Sequence, residues 1–103
     1  MNIGSAVKKL RKQQSLNQSE LAEAIGITQT ALSQIESGAK TPGSGTMKKL
    51  CTYFQVPELM IFLLATDLED IPEKNRATFE KVFPLVSGLL LEIFDLPKTL
   101  RDA

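Results

Sequence analysis

Gln29, Thr30, Ser33, Gln34 and Ser37 lie within the stretch TQTALSQIESG, residues 28–38. At about 100° per residue they gather on one side of a helix, and Thr28, Ala31, Leu32 and Ile35 gather on the other. Their amides and hydroxyls donate and accept hydrogen bonds, carry no charge and cost far less to desolvate than ions. An ordinary solvated face would carry Lys and Glu. This one is equipped for hydrogen-bonding recognition.

Catalytic chemistry has little to work with. The chain has no histidine and a single cysteine, and no cluster of metal ligands or nucleophile with a base can be assembled from it. No enzymatic activity, metal or cofactor is expected. Cys51 reads as a small core residue of a helix rather than a reactive thiol. One cysteine allows no internal disulfide and fits a reducing, cytoplasmic setting. MNIGSAVKKLRKQQ builds no apolar signal region, and the longest strictly apolar run, LMIFLLA, is far short of the roughly 20 residues of a membrane span. No membrane partner is expected.

The elements that must position the uncharged face are helices throughout. Asn2 can cap a first helix whose inner stripe is Ile3, Ala6, Val7 and Leu10. NQSE starts a second, with Asn17 and Glu20 spaced for a capping box, and Gly26 ends it as a left-handed residue. Thr28 caps the third and Gly38 ends it. AKTPGSG is a loop, Ser44 or Thr46 starts a fourth helix with Met47, Leu50, Cys51 and Phe54 inward, and Pro57 suits the first position of a short fifth. PGSGTMKK is not a phosphate-binding loop, because no strand precedes it and no GKS or GKT follows.

With 43% hydrophobic and 23% charged residues the chain falls in the globular range, and 103 residues make one domain or a domain with an appendage. The formal net charge is zero, which hides an asymmetry. Residues 1–50 hold seven Lys/Arg against three Glu, a net of +4, whereas residues 51–103 hold five against nine, a net of −4. A basic front and an acidic back suit docking on a polyanion by one end.

Spacing within the second and third helices is the most specific signal. Counted from Gln18 as the first position, Leu21, Ile25, Ile27, Leu32 and Ile35 fall at positions 4, 8, 10, 15 and 18, with Ala22 at 5 and Gly26 at 9. Ala22 must be small where the next helix crosses it, Gly26 turns the chain at positive φ, and the five apolar residues join two helices at a steep angle. On these residues the run LNQSELAEAIGITQTALSQIESGAKTP resembles the helix-turn-helix domain of the Xre/Cro family of lambdoid-repressor-like regulators. The resemblance covers about residues 3–65. It implies an all-α fold, a five-helix repressor-like domain at 1–66 followed by a C-terminal helical extension at 67–103, and sequence-specific binding to double-stranded DNA.

The resemblance also implies roles. Gln29, Thr30, Ser33 and Gln34 match positions that reach base edges in the major groove, where Gln pairs with adenine and a Thr methyl meets a thymine methyl. Asn17 and Gln18 on one flank, and Ser37, Lys40 and Thr41 on the other, match positions that meet phosphates. Arg11 and Glu36 match an ion pair that orients the recognition helix. Lys8, Lys9 and Lys12 read equally as phosphate contacts or as a solvated face. Ser44 stands where relatives commonly have leucine, so the loop is expected to pack less tightly.

Past Asp67 the resemblance stops and the pattern changes. After DLEDIPE, a helix start at Pro72 and Glu73 leads into KNRATFEKVFPLVSGLLLEIF, in which Phe79, Val82, Phe83, Val86, Leu89, Leu90, Ile93 and Phe94 recur at three- and four-residue steps. Pro84 is expected to kink this helix or split it in two near Phe83, and Leu96-Pro97 ends it. The stripe is expected to form a homodimer interface; padding against Phe62 and Leu63 is the other use it could have. No small-molecule ligand is evident. A repressor-like transcriptional regulator is therefore expected, the alternative being a protein-interaction or antitoxin-type module built on the C-terminal helices.

Overall fold

The helical punctuation expected from Asn, Thr and Gly is present in the computed structural model, which describes residues 1–102. Its helices are α1 (Ile3–Gln13), α2 (Gln18–Ile25), α3 (Gln29–Ser37), α4 (Ser44–Phe54), α5 (Glu58–Ala65) and α6 (Arg76–Ile93). Short 3₁₀ turns occupy Leu68–Asp70, Glu73–Asn75 and Leu100–Asp102, and no strand occurs among the described residues. None of these helices is long and apolar enough to cross a membrane.

Caps explain most boundaries. Asn2 Oδ1 accepts from the Ser5 N–H at 2.9 Å, and Thr28 Oγ1 accepts from the Ala31 N–H at 3.0 Å. The Asn17–Glu20 capping box closes in both directions, at 2.8 and 2.9 Å. Gly26 and Gly38 stop their helices at φ +73° and +83°, a region that costs a residue with a Cβ. Pro57 is the residue before α5 rather than its first residue, its carbonyl accepting from the Met60 N–H. The last helix starts at Arg76, three residues after the expected Glu73, because a 3₁₀ turn comes first. Pro84 does not split it: α6 runs unbroken from Arg76 to Ile93, and the Ser87 hydroxyl donates to the Pro84 carbonyl at 3.3 Å.

One core serves the whole chain. Leu10, Leu21, Leu32, Leu50, Met60, Ile61 and Leu91 are fully buried. The central helix α5 is apolar on nearly every side, as a helix surrounded by others must be, and it packs against α1, α4 and α6. Leu91 and Leu100 belong to the same cluster as the first five helices, with Phe83, Leu90 and Phe94 packed against it. Residue 66 thus marks a change of pattern and not a gap in packing.

Arg101 supplies the latch. Its guanidinium donates to the carbonyls of Leu63 (2.8 Å) and Thr66 at the end of α5, where a cation also meets the negative end of the helix dipole. It also stacks 4.5 Å over the Phe83 ring, tying α5, α6 and the C-terminal turn together.

Candidate nucleic-acid interface

The third helix is held by its inner face and leaves its outer face bare. Leu32 and Ile35 are buried with Leu21, Ala22 and Ile25 of α2, and Ile27 between the helices is half-buried. Ala22 is 2% exposed, covered where α2 and α3 meet. Opposite them Gln29, Thr30 and Ser33 are exposed and Gln34 is half-buried, and these four line one shallow groove with Gln18. The structure therefore brings the four expected base-reading side chains together. Gln29 is already oriented: its amide oxygen accepts from the Ser19 hydroxyl at 2.9 Å, leaving the amide nitrogen free to donate.

The expected Arg11–Glu36 pair forms, with two parallel bonds: Nε to Oε2 at 2.7 Å and Nη2 to Oε1 at 2.9 Å. Both side chains are at least nine-tenths buried. The carboxylate holds the guanidinium above its ordinary pKa, chiefly by hydrogen bonding, so it stays charged. Two further bonds complete the cluster: Arg11 Nη1 donates to the Leu16 carbonyl at 2.7 Å, and Gln18 Nε2 donates to Glu36 Oε1 at 3.2 Å. One buried carboxylate at the end of α3 thereby fixes α1, the α1–α2 turn and the start of α2. A bidentate, fully hydrogen-bonded pair of this kind sets geometry more than it adds net stability.

The flanking residues are less free than their positions alone implied. Asn17 spends its side-chain oxygen and its backbone N–H on the capping box, which leaves its amide nitrogen for a phosphate. Gln18 spends a side-chain donor on Glu36, but its backbone N–H opens the first turn of α2. The Ser37 hydroxyl donates to the Gln34 carbonyl at 3.1 Å and accepts from the Ala39 N–H, a local cap. Lys40 and Thr41 are exposed just beyond, the Lys40 N–H bonded to the Gln34 carbonyl. Gly43, Ser44 and Gly45 are also exposed, and α4 begins with no side-chain cap, so its first amides are open. Ser44, expected in the loop, is the first residue of α4.

Gly4 escaped the sequence pattern. A Cβ built there would lie 2.2 Å from the Ile35 carbonyl oxygen and 2.8 Å from that of Glu36, so α1 touches the end of α3 backbone to backbone. The available signal was a glycine inside the first turn of a helix, where alanine would propagate better.

The C-terminal stripe divides between two faces. Phe83, Leu90 and Phe94 pack on the core and Phe79 is half-buried, stacked at 4.4 Å on Phe83. Val82, Val86, Leu89 and Ile93 are exposed, and Leu85, outside the expected set, joins them. Cys51 is half-buried in α4, with burial and then Glu58 pushing its thiol up, so a thiolate is disfavoured. No group of three or more His, Cys, Asp or Glu able to hold a metal ion occurs among the described residues.

Five packed helices presenting the third through an uncharged outer face define a helix-turn-helix domain. The family described as Helix-turn-helix matches residues 7–61, and the chain belongs to it. It is 32% identical over 101 residues to the cryptic phage CTXphi transcriptional repressor RstR of Vibrio cholerae, covering 86% of this chain and 88% of that protein. It is also 30% identical to the HTH-type transcriptional regulator SutR of Escherichia coli and 29% identical to the HTH-type transcriptional activator BcrR of Enterococcus faecalis. Those alignments cover 91% and 87% of this chain but only 54% and 44% of the relatives, so the chain spans about half their length. No solved structure gives a significant match.

Proposed function

We propose that the protein is a sequence-specific DNA-binding transcriptional regulator that acts as a homodimer in the cytoplasm, by binding rather than catalysis. The observation that carries this reading is the uncharged quartet of exposed Gln29, Thr30 and Ser33 with half-buried Gln34, on a helix clamped by a buried ion pair. Rigid positioning matters because bidentate base contacts are lost with small displacements. Asn17, the α2 amides, Lys40 and Thr41 flank the quartet and supply phosphate contacts. The likeness to RstR, which extends over most of both chains, favours a repressor.

A single recognition helix reads few base pairs, and dimers of such domains set two of them about 34 Å apart in successive major grooves. The exposed apolar face of α6 supplies the contact between subunits, and its inner face serves the core. One helix thus answers both uses the sequence allowed.

The test is a binding measurement on duplexes that the protein itself selects from a random pool. Gln29→Ala and Gln34→Ala should each lose about 1–3 kcal/mol on the selected site and almost nothing on unselected DNA. Equal losses on both would remove these residues from base reading.

A further inference from the structure

The reading face and the α6 stripe leave one concave feature unused. A cleft of about 570 Å³ opens between α1 and the C-terminal segment, with Lys8, Lys9 and Lys12 on one wall and Pro97, Thr99 and Leu100 on the other. That is within the size range of small-molecule sites. No Asp or Glu lines it. Lys8 and Lys12 take part in no ion pair among the described residues. The Lys9 ammonium donates to the Arg101 carbonyl oxygen, and its pKa is lowered by burial first and by the Arg101 charge second. Three lysines thus line one hollow opposite a proline and a leucine, and the opposite charges felt by Lys9, those of Asp102 and Asp67, lie outside its walls.

We propose that this cleft binds a small organic anion, its carboxylate or phosphate held by Lys8, Lys9 and Lys12 and its short apolar body laid against Pro97 and Leu100. Both parts are needed. A bare inorganic anion would leave the apolar wall wet, and an uncharged hydrocarbon would leave the Lys8 and Lys12 ammoniums without a counter-ion. A DNA backbone is the other source of phosphates, and the placement disfavours it. The cleft shares no residue with the groove of the reading quartet. At about 100° per residue, Lys9 lies about 160° around α1 from Arg11, the side chain that grips the end of α3, with Lys12 at about 100° and Lys8 at about 60°, so the half-buried lysine of the three is the one that faces away from the reading helix. Because one wall belongs to α1 and the other to the segment that follows α6, a bound anion bridges them and favours the docked position of α6 by mass action.

Amide-resolved NMR of the full chain, titrated with hexanoate, hexyl phosphate, inorganic phosphate and hexanol, tests the assignment. Hexanoate, hexyl phosphate or both should shift the amides of Lys9, Lys12, Thr99 and Leu100 saturably, in the low millimolar range or below. The tighter of the two names the head group. Inorganic phosphate should bind at least about tenfold more weakly and hexanol should leave these amides unmoved. Lys8→Gln with Lys12→Gln, both at surface positions, should weaken the anion at least about tenfold with the rest of the spectrum unchanged.

No saturable shift with either amphiphile would overturn the proposal. So would hexanol or inorganic phosphate binding as well as they do. Self-selected duplex DNA that moves the same amides and displaces hexyl phosphate would reassign the lysines to the DNA backbone. DNA binding by the quartet is measured separately, so failure here leaves the proposed function standing.

Discussion

Helices α3 and α6 each turn one face to the core and one to water, and the outward faces differ in kind. On α3 the outer residues are amides and hydroxyls. On α6 they include Leu85, Leu89 and Ile93, which are 70%, 62% and 70% exposed. An amide face exchanges water for base edges at little net cost in either state, so it suits a partner that comes and goes. An apolar face costs roughly 25 cal/mol for each Å² left wet, at all times, so it suits a partner that stays. The two surfaces imply a division of labour between intermittent reading and standing association.

Breaking the apolar side should have the largest effect. Val86→Asp in the full chain is expected to convert a dimer to a monomer by sedimentation equilibrium and to weaken binding to a two-half-site operator by about 10²- to 10⁴-fold. Deleting everything from residue 72 onward is the wrong tool, because Leu91 and Leu100 would leave the shared core with it. A Val86→Asp protein that still sediments as a dimer would assign the stripe another partner.

The polar side breaks through its clamp. Glu36→Ala leaves Arg11 charged and nine-tenths buried without its partner, and urea unfolding should record a loss of about 3–5 kcal/mol. Arg11→Met combined with Glu36→Leu should recover most of that stability while operator binding stays impaired, which separates orientation from folding. Gly4→Ala comes next. In an open helix this change stabilises by up to about 1 kcal/mol, but here the new methyl meets the end of α3 and a loss of about 1–3 kcal/mol is expected by thermal unfolding. The sign alone decides the matter.

The smallest effect sharpens the comparison. Lys40→Ala should reduce the slope of log K against log salt by about two for a dimer, one phosphate contact per subunit, with the preferred site unchanged. An unaltered slope would place Lys40 away from the backbone.

Local chemistry explains which features are legible in the sequence. A cap, a left-handed glycine or an apolar step of three or four involves residues close in the chain, so Asn2, the Asn17–Glu20 box, Thr28, Gly26 and Gly38 announce the helix ends, and the spacing from Gln18 to Ile35 announces the helix pair. Gln55 ends α4 at φ +56° and gives no warning of it, since glutamine carries no such signal. The stripe on α6 is legible as apolar but not as two faces, because periodicity shows which residues share a side and not what lies opposite.

From residue types and spacing alone follow the all-helical class, the helix-turn-helix pair and the uncharged quartet, each resting on short-range geometry or on a motif in fixed register; the Arg11–Glu36 pair followed only from the family resemblance. Only the tertiary structure decided the rest. It added Gln18 and the Leu16 carbonyl to the buried pair, pressed Gly4 against α3, drew Leu91 and Leu100 into one core with the first five helices, and opened a lysine-lined cleft between α1 and the C-terminal turn. Lys9 and Arg101 stand 92 residues apart in the chain. No local pattern encodes such a meeting; it exists because α5 is apolar on nearly every side and must be covered by what the chain can bring to it.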